Sequence, residues 1–465
     1  MSELKVALTD VPSNLNPYES NTLHIHTVMW PIYEPLFDIG DKGQLIARLA
    51  ASWDVSADGL TYVFRLRNGV TFYPGGTPFA AQSVVDNLLQ VKRRTSFRER
   101  ILADLIDLNN VKAVNTNMVS VQLKYPKPEL LFLALMTSPH ADKSKPPLGT
   151  GPFYLEAADH SGFVLKKKPN YLPQPAQLDQ ITFKKIRPTD LMDEFKEGRV
   201  DFIRDVDPES VRDIPGDQTE KVRPFGLHYL GFNLGSTLFG KLEVRRTFRD
   251  TIDFAQIQSK TGLDSAEGPI PPGVEAYDPT LSTPHQNRAD ARTVLEETCR
   301  GSVITLLFNN NSYYGLELAN RIARDLAESN VAVKLEPKES SSELLKEIKK
   351  RGHGEKDNYV FIYNWYSILP AAEIFLRPLF ESGMPDNLTG YTGVDALLEA
   401  TREPKILAKD RTDRYRDAQR KIVDDAPTIF LGHSRVRYSA RSARVTGLRL
   451  NVQSFPVDRY AGVYV

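Results

Sequence analysis

Eight histidines, one cysteine and 19 tyrosines are the side chains of this 465-residue chain best suited to chemistry, and their spacing builds no enzyme constellation. There is no Gly-x-Ser-x-Gly elbow, no Walker A loop, no Gly-x-Gly-x-x-Gly after a strand, no His-Glu-x-x-His and no Cys-x-x-Cys. No catalytic residue is named, and no enzyme is expected. The nearest approach to a metal site is His24-Ile25-His26, read as an extended segment whose ring nitrogens face one way. A third ligand is not evident, so no metal is assigned beyond His24 and His26 as weak candidates, and no cofactor is expected. Cys299 closes a helix expected over 288–299 and reads as a buried structural thiol.

Binding is better served than catalysis. Asn309-Asn310-Asn311-Ser312-Tyr313-Tyr314 follows a strand expected over 303–308, and Asn364-Trp365-Tyr366 follows one expected over 359–363. In an open α/β sheet the loops beyond the carboxyl ends of the strands splay apart, and ligands bind there. Tyrosine and tryptophan combine contact area with a hydrogen-bonding handle, which suits a pocket wall.

The elements that position these loops alternate strand 303–308, helix 315–328, strand 331–335, helix 341–351 and strand 359–363. Ser340 with Glu343 fits a capping box and Gly352 a helix stop, so this region predicts βαβ units and a parallel sheet. Residues 50–145 read differently, as hairpins around a helix that places Ala81, Val84, Val85, Leu88 and Leu89 on one face. The 59 basic and 59 acidic residues balance, which removes the footprint of a nucleic-acid binder. The run Lys92, Arg93, Arg94, Arg98 and Arg100 reads as a solvated helix end. Leu130 to Met136 is the longest apolar run, too short to span a bilayer. Met1-Ser2-Glu3 leads straight into strand-like residues, which fits either a cytoplasmic protein or a trimmed mature form, with a lipid anchor on the native form left open.

The stretch from Leu49-Ala50-Ala51-Ser52-Trp53 through Asp58-Gly59-Leu60-Thr61-Tyr62 to Arg67, continued by Gly69-Val70-Thr71-Phe72 and Gly76-Thr77-Pro78-Phe79, resembles the signature of the bacterial family 5 extracellular solute-binding proteins. Further matches in the family's order are Gly149-Thr150-Gly151-Pro152-Phe153, Pro169-Asn170-Tyr171, Gly198-Arg199-Val200-Asp201, Phe232-Asn233, Val244-Arg245-Arg246, Pro271-Pro272-Gly273, and Asn387 with Tyr391 and Asp395. The resemblance implies an α/β, two-lobed, hinge-linked periplasmic-binding-protein-like fold with an additional α+β lobe. Lobe I would take residues 1–36, 147–226 and 434–465, lobe II 37–146 and lobe III 227–433, with hinge crossings near Leu227 and His433.

The same resemblance implies a monomeric receptor that captures a small ligand between lobes I and III and delivers it to the permease of an ABC importer. Its place would be the periplasm or the outer cell surface; the alternative is a cytoplasmic sensing domain of a transcription regulator. Peptide-binding members carry, three residues after the Trp matched by Trp365, an Asp that pairs with the peptide's amino group; this chain has Ile368 there. Enclosing an unpaired ammonium costs about 3 to 5 kcal/mol, which disfavours a conventional free-amine peptide. The ligand-binding residues expected are His26, Tyr229, Tyr313, Tyr314, Trp365, Tyr366 and Ile368, an uncharged aromatic set suited to a peptide-like, sugar-containing or chelate ligand.

Overall fold

Leu4, Val6 and Leu8 alternate along the strand Glu3–Leu8 and enter one core together with Ile181 and Phe183, as a half-buried strand pattern requires. The computed structural model in which this is seen describes the chain except residues 1, 10, 12–14, 18–22, 41–43, 139–147, 173, 283–286, 313, 368 and 451–458, and gives the backbone alone for 23–25, 138 and 205. The chain divides into two compact units, Met1–Arg223 with Arg402–Lys405 and Val436–Val465, and Pro224–Thr401 with Ile406–Arg435.

The first unit is built on a seven-stranded sheet in the order Phe153–Asp159, Gly162–Lys167, Gln180–Lys185, Glu3–Leu8, Phe202–Val206, Arg437–Arg441, Thr219–Val222. A four-stranded antiparallel sheet, Ala50–Val55, Thr61–Leu66, Met118–Leu123, Ile106–Asn115, belongs to the same unit. Against it lies the helix Ala81–Gln90, which buries Ala81, Val84, Val85 and Leu88 of the predicted face and leaves Leu89 half-buried. Asn87 is buried on that face as well, where its amide donates to the Thr137 carbonyl at 2.6 Å and accepts the Thr137 N–H at 2.9 Å.

The reading of the basic run as solvated needs correction at Arg98. Ser96 accepts the Glu99 N–H at 3.2 Å while Glu99 accepts the Ser96 N–H at 3.4 Å, a capping box that starts the helix Phe97–Leu105 at this point. Arg98 and Glu99 are thereby 1% and 0% exposed, with Arg93 Nη2 2.7 Å from Glu99. Lys92, Arg93 and Arg94 are the exposed members of the run.

In the second unit a five-stranded sheet runs Ala332–Lys338, Val303–Asn309, Tyr359–Ser367, Phe225–Phe232, Thr428–His433. The βαβ pattern gives the parallel pairs, with the helices Gly315–Ala327 and Ser341–Arg351 where the sequence predicts them. Ser340 caps the second helix by accepting the Glu343 N–H at 3.1 Å, and Gly352 ends it at φ 60°. The sheet is mixed rather than parallel, because Phe225–Phe232 pairs antiparallel with both of its neighbours. Every residue of that strand is buried, as a strand covered on both faces should be. Among the described residues no helix is long and apolar enough to cross a membrane.

Candidate functional site

The strand Tyr359–Ser367 outruns its sequence pattern. Asn364, Trp365 and Tyr366 lie within it rather than in a loop, because each finds an antiparallel partner: His228, Leu227 and Gly226 respectively. Pleating then sorts the candidate residues onto two faces. Tyr366 and His228 share one, and Tyr229, Tyr363 and Trp365 the other.

On the first face His228, 4% exposed, is the centre of a cluster. Its Nε2 lies 3.1 Å from Ser434 Oγ and 3.3 Å from the Tyr366 hydroxyl. The rings of Tyr314 and Tyr366 meet the imidazole edge-on, with centroids at 5.3 and 5.8 Å. Gly226 makes this possible, since a Cβ there would run into Ser434 Oγ and the Tyr366 ring. Gly315 lets the helix Gly315–Ala327 begin hard against the Asn309 carbonyl, which brings Tyr314 to the cluster. Asn309 in turn accepts the Asn311 N–H at 2.9 Å and donates to Ser341 Oγ at 3.0 Å, fixing the loop.

On the second face Trp365 is 5% exposed and its indole N–H donates to the Ile374 carbonyl at 2.8 Å. Tyr229 packs edge-on against Phe361 and Tyr363, both at 6.2 Å, and burial first of all pushes its hydroxyl pKa well above the ordinary value. It is a neutral hydrogen-bonding group. Tyr313 and Ile368 lie outside the described residues.

His26 belongs to the first unit. It lies on the helix Leu23–Met29, not on an extended segment, so residues two apart no longer face one way. Burial, and then the neighbouring Arg98, bring its pKa well below the ordinary value, and Arg98 Nη2 meets its ring nitrogens. The side chain of His24 lies outside the described residues, and among those described no group of three His, Cys, Asp or Glu is placed to hold a metal. Cys299 is buried as expected, and burial pushes its thiol up to about 11.

The motifs that carried the resemblance resolve into staples of the scaffold. Asp201 accepts the Lys5 N–H at 2.9 Å and holds Arg444 through two bonds of 2.7 Å. Asn233 donates to the carbonyls of Gly354 and Asp357 at 3.0 and 2.7 Å. Arg245 donates to those of Ala426 and Phe239 at 2.9 and 2.7 Å. Tyr391 donates to Asp425 at 2.6 Å. His228 and Ser434 were not found from sequence. The available signal was His228 standing in line with Leu230 and Phe232 on the helix-covered face, which contributes those two residues to the core.

What this arrangement offers a partner is ring faces, hydroxyls and one imidazole. Ser434 and His228 are buried at 7% and 4% exposure, which suits a fixed hydrogen-bonding wall better than a nucleophile and its base.

Comparison with known proteins places the chain. The family model described as bacterial extracellular solute-binding proteins, family 5, middle, matches residues 44–386. The glutathione-binding protein GsiB of Pectobacterium atrosepticum is 26% identical over 481 residues, covering 95% of this chain and 90% of that protein. GsiB of Escherichia coli strain K12 is 24% identical, covering 96% and 91%. Among solved structures, the MoaA protein of A. tumefaciens R10 in complex with mannopinic acid superposes with a TM-score of 0.86 at 21% identity, covering 100% and 99% of the two chains. The dipeptide-binding protein of Pseudoalteromonas sp. SM9913 in complex with Met-Leu gives 0.85 at 20% identity, covering 99% of each. The fold is thus that of the two-lobed periplasmic binding proteins.

Proposed function

The chain belongs to the family 5 bacterial extracellular solute-binding proteins, and from that premise we propose that it is the receptor of an ABC importer for a short, peptide-like solute. The observation that carries the ligand class is the cluster of His228, Tyr314, Tyr366 and Ser434, whose hydroxyls, imidazole and ring faces suit the amide and apolar groups of a peptide-like solute. Relatives named for glutathione and a structural neighbour holding Met-Leu support a peptide-like solute over a chelate. Ile368 removes the acidic partner for a free amine, so the solute engages this point with apolar atoms. The family match supports the receptor over the sensing domain of a transcription regulator.

The proposal includes the three lobes set out from the resemblance, closure about the crossings near Leu227 and His433, a monomer, a place in the periplasm or on the outer cell surface, and ABC permease subunits as partners. Function then needs no bond-breaking, only a conformational equilibrium that the ligand shifts by its differential affinity. Native mass spectrometry of protein purified without unfolding, followed by calorimetry with glutathione, dipeptides, mannopinic acid and a nickel chelate, tests it. A retained peptide-like mass and binding in about the micromolar range or tighter supports the proposal. Binding of mannopinic acid or chelate alone overturns the ligand class, and a radius of gyration unchanged at saturation overturns closure.

A further inference from the structure

Several motif residues meet at one place in the first unit. Glu34, Arg48, Arg67, Thr150, Lys168 and Tyr171 line a cavity of ≈ 10 Å³, the room that one water-sized particle fills. Its wall holds three cations, Arg48, Arg67 and Lys168, against one carboxylate, Glu34. Asp38 and Arg459, bonded at 2.6 and 2.8 Å, stand behind Arg48 and cancel in charge.

Arg48 is paired in charge: its Nε lies 2.9 Å from Glu34 without forming a hydrogen bond, and its Nη2 donates at 3.3 Å to the Tyr171 hydroxyl, which itself donates to Glu34 at 2.7 Å. The other two cations are not. Among the described residues the Arg67 guanidinium has no ion-pair or hydrogen-bond partner. Lys168, 4% exposed, donates to the carbonyls of Thr71 and Thr150 at 2.5 and 3.0 Å, which leaves a third ammonium proton and an uncompensated charge. Thr150 is 0% exposed, and among the described residues its hydroxyl has no hydrogen-bond partner.

We propose that this cavity binds one small monovalent anion of halide size, held by Lys168, Arg67 and the Thr150 hydroxyl. Three donors in one lining and two positive charges in excess favour an anion over a neutral water, because buried charge is costly until it is paired. A volume of this size suits a monatomic anion better than phosphate or a carboxylate ligand.

The charge state of Lys168 gives the site a pH dependence. Burial, opposed by Glu34, brings its pKa down to about 8; the other charged groups facing it are Arg48 and Arg67, with Tyr171 over which the ammonium lies at 5.9 Å. An anion binds the charged lysine, so occupancy falls as pH rises through this value, and by reciprocity the anion raises the lysine's pKa. The folded pKa lies below the unfolded one, so the cost of burying the ammonium is full below pH about 8 and fades above it. Halide should therefore stabilise most at the lower pH.

The experiment is a crystal grown in sodium bromide at pH about 6, together with thermal unfolding in sodium bromide and in sodium gluconate of equal ionic strength. An anomalous bromine peak within hydrogen-bonding distance of Lys168 Nζ is expected. So is a bromide-specific rise of the midpoint that shrinks at pH about 9.5 and disappears in Lys168→Met and in Thr150→Val. Water-like density without an anomalous peak overturns the proposal, as does an equal bromide response in the wild type and both variants. Should Lys168→Met fail to fold, Thr150→Val decides alone, since it keeps the shape and removes only the hydroxyl.

Discussion

The charged network of the first unit and the aromatic cluster of the second solve opposite problems. Around Asp38, Glu34, Arg48, Tyr171 and Arg459, full charges are buried and must be paired, so contacts are short: 2.6 to 2.9 Å for the two ion pairs and the Tyr171 bond. Around His228 the partners are hydroxyls and rings, and the contacts to Ser434 and Tyr366 are longer, 3.1 and 3.3 Å. A buried charge tolerates few substitutes, whereas a wall of hydroxyls and rings can be rebuilt from many residues. Family motifs consequently mark the scaffold, and the aromatic cluster carries little signature.

The comparison is broken most severely at Arg459. It is 0% exposed, grips Asp38 through two bonds and lies 4.3 Å over the Trp30 ring. Arg459→Ala strands a buried carboxylate and should cost about 3 to 5 kcal/mol, a large part of an ordinary fold's stability. Burial alone would raise the Asp38 pKa, but Arg459, then Arg48 and Arg67, outweigh it and hold it low. A depressed carboxylate contributes stability that is lost as pH falls through its folded value. In the variant only Arg48 and Arg67 oppose burial, so the carboxyl pKa rises and acid unfolding should begin at higher pH. Denaturant titrations across pH check both; a loss below about 1 kcal/mol would show that the network is ornamental.

Trp365→Ala comes next, on the other side of the comparison. Removing a buried indole should cost about 3 to 5 kcal/mol, and Trp365→Phe, which leaves the Ile374 carbonyl without its donor, about 1 to 3. Calorimetry with the identified solute separates two roles. If Trp365 also lines the pocket, affinity falls with stability in the Ala variant; if binding stays within threefold of wild type, Trp365 is core.

Legibility followed the same division. Local rules placed what local physics decides: the Ser340 cap, the Gly352 stop, the buried stripe of Ala81, Val84, Val85 and Leu88, and the parallel strands. Tertiary pairing decided the rest. Asn364, Trp365 and Tyr366 read as a loop because their partners lie more than a hundred residues earlier, and His228 meets Ser434 across 206 residues. His24 to His26 read as extended because the helix holding them is only seven residues long, too short for its period to stand out, and Arg98 read as solvated because its burial depends on the helix that meets it.

A smaller disturbance sharpens the picture of the cluster. Gly226→Ala forces a methyl against Ser434 Oγ and the Tyr366 ring, and overpacking of this kind costs about 1 to 3 kcal/mol. Gly216, with open space around its Cβ position, is the control, and Gly216→Ala should be near neutral. Solute affinity should fall in Gly226→Ala and stay unchanged in Gly216→Ala. Equal effects in the two would show that the cluster tolerates displacement and does not position the ligand.

The smallest effect is expected at the Tyr366 hydroxyl. Tyr366→Phe keeps the ring packed edge-on to His228 and removes only an oxygen 3.3 Å from Nε2. Net hydrogen bonds contribute about 0.5 to 1.5 kcal/mol, and this long one belongs at the low end, so unfolding should change by less than about 1 kcal/mol. Affinity is the more telling readout. If the hydroxyl serves only His228, binding is unchanged; if it also reaches the solute, the loss is about threefold to tenfold, the same free energy expressed at the binding step. A Tyr366→Phe variant that binds normally, beside a Gly226→Ala variant that does not, would assign recognition to the position of the ring rather than to its hydrogen bond.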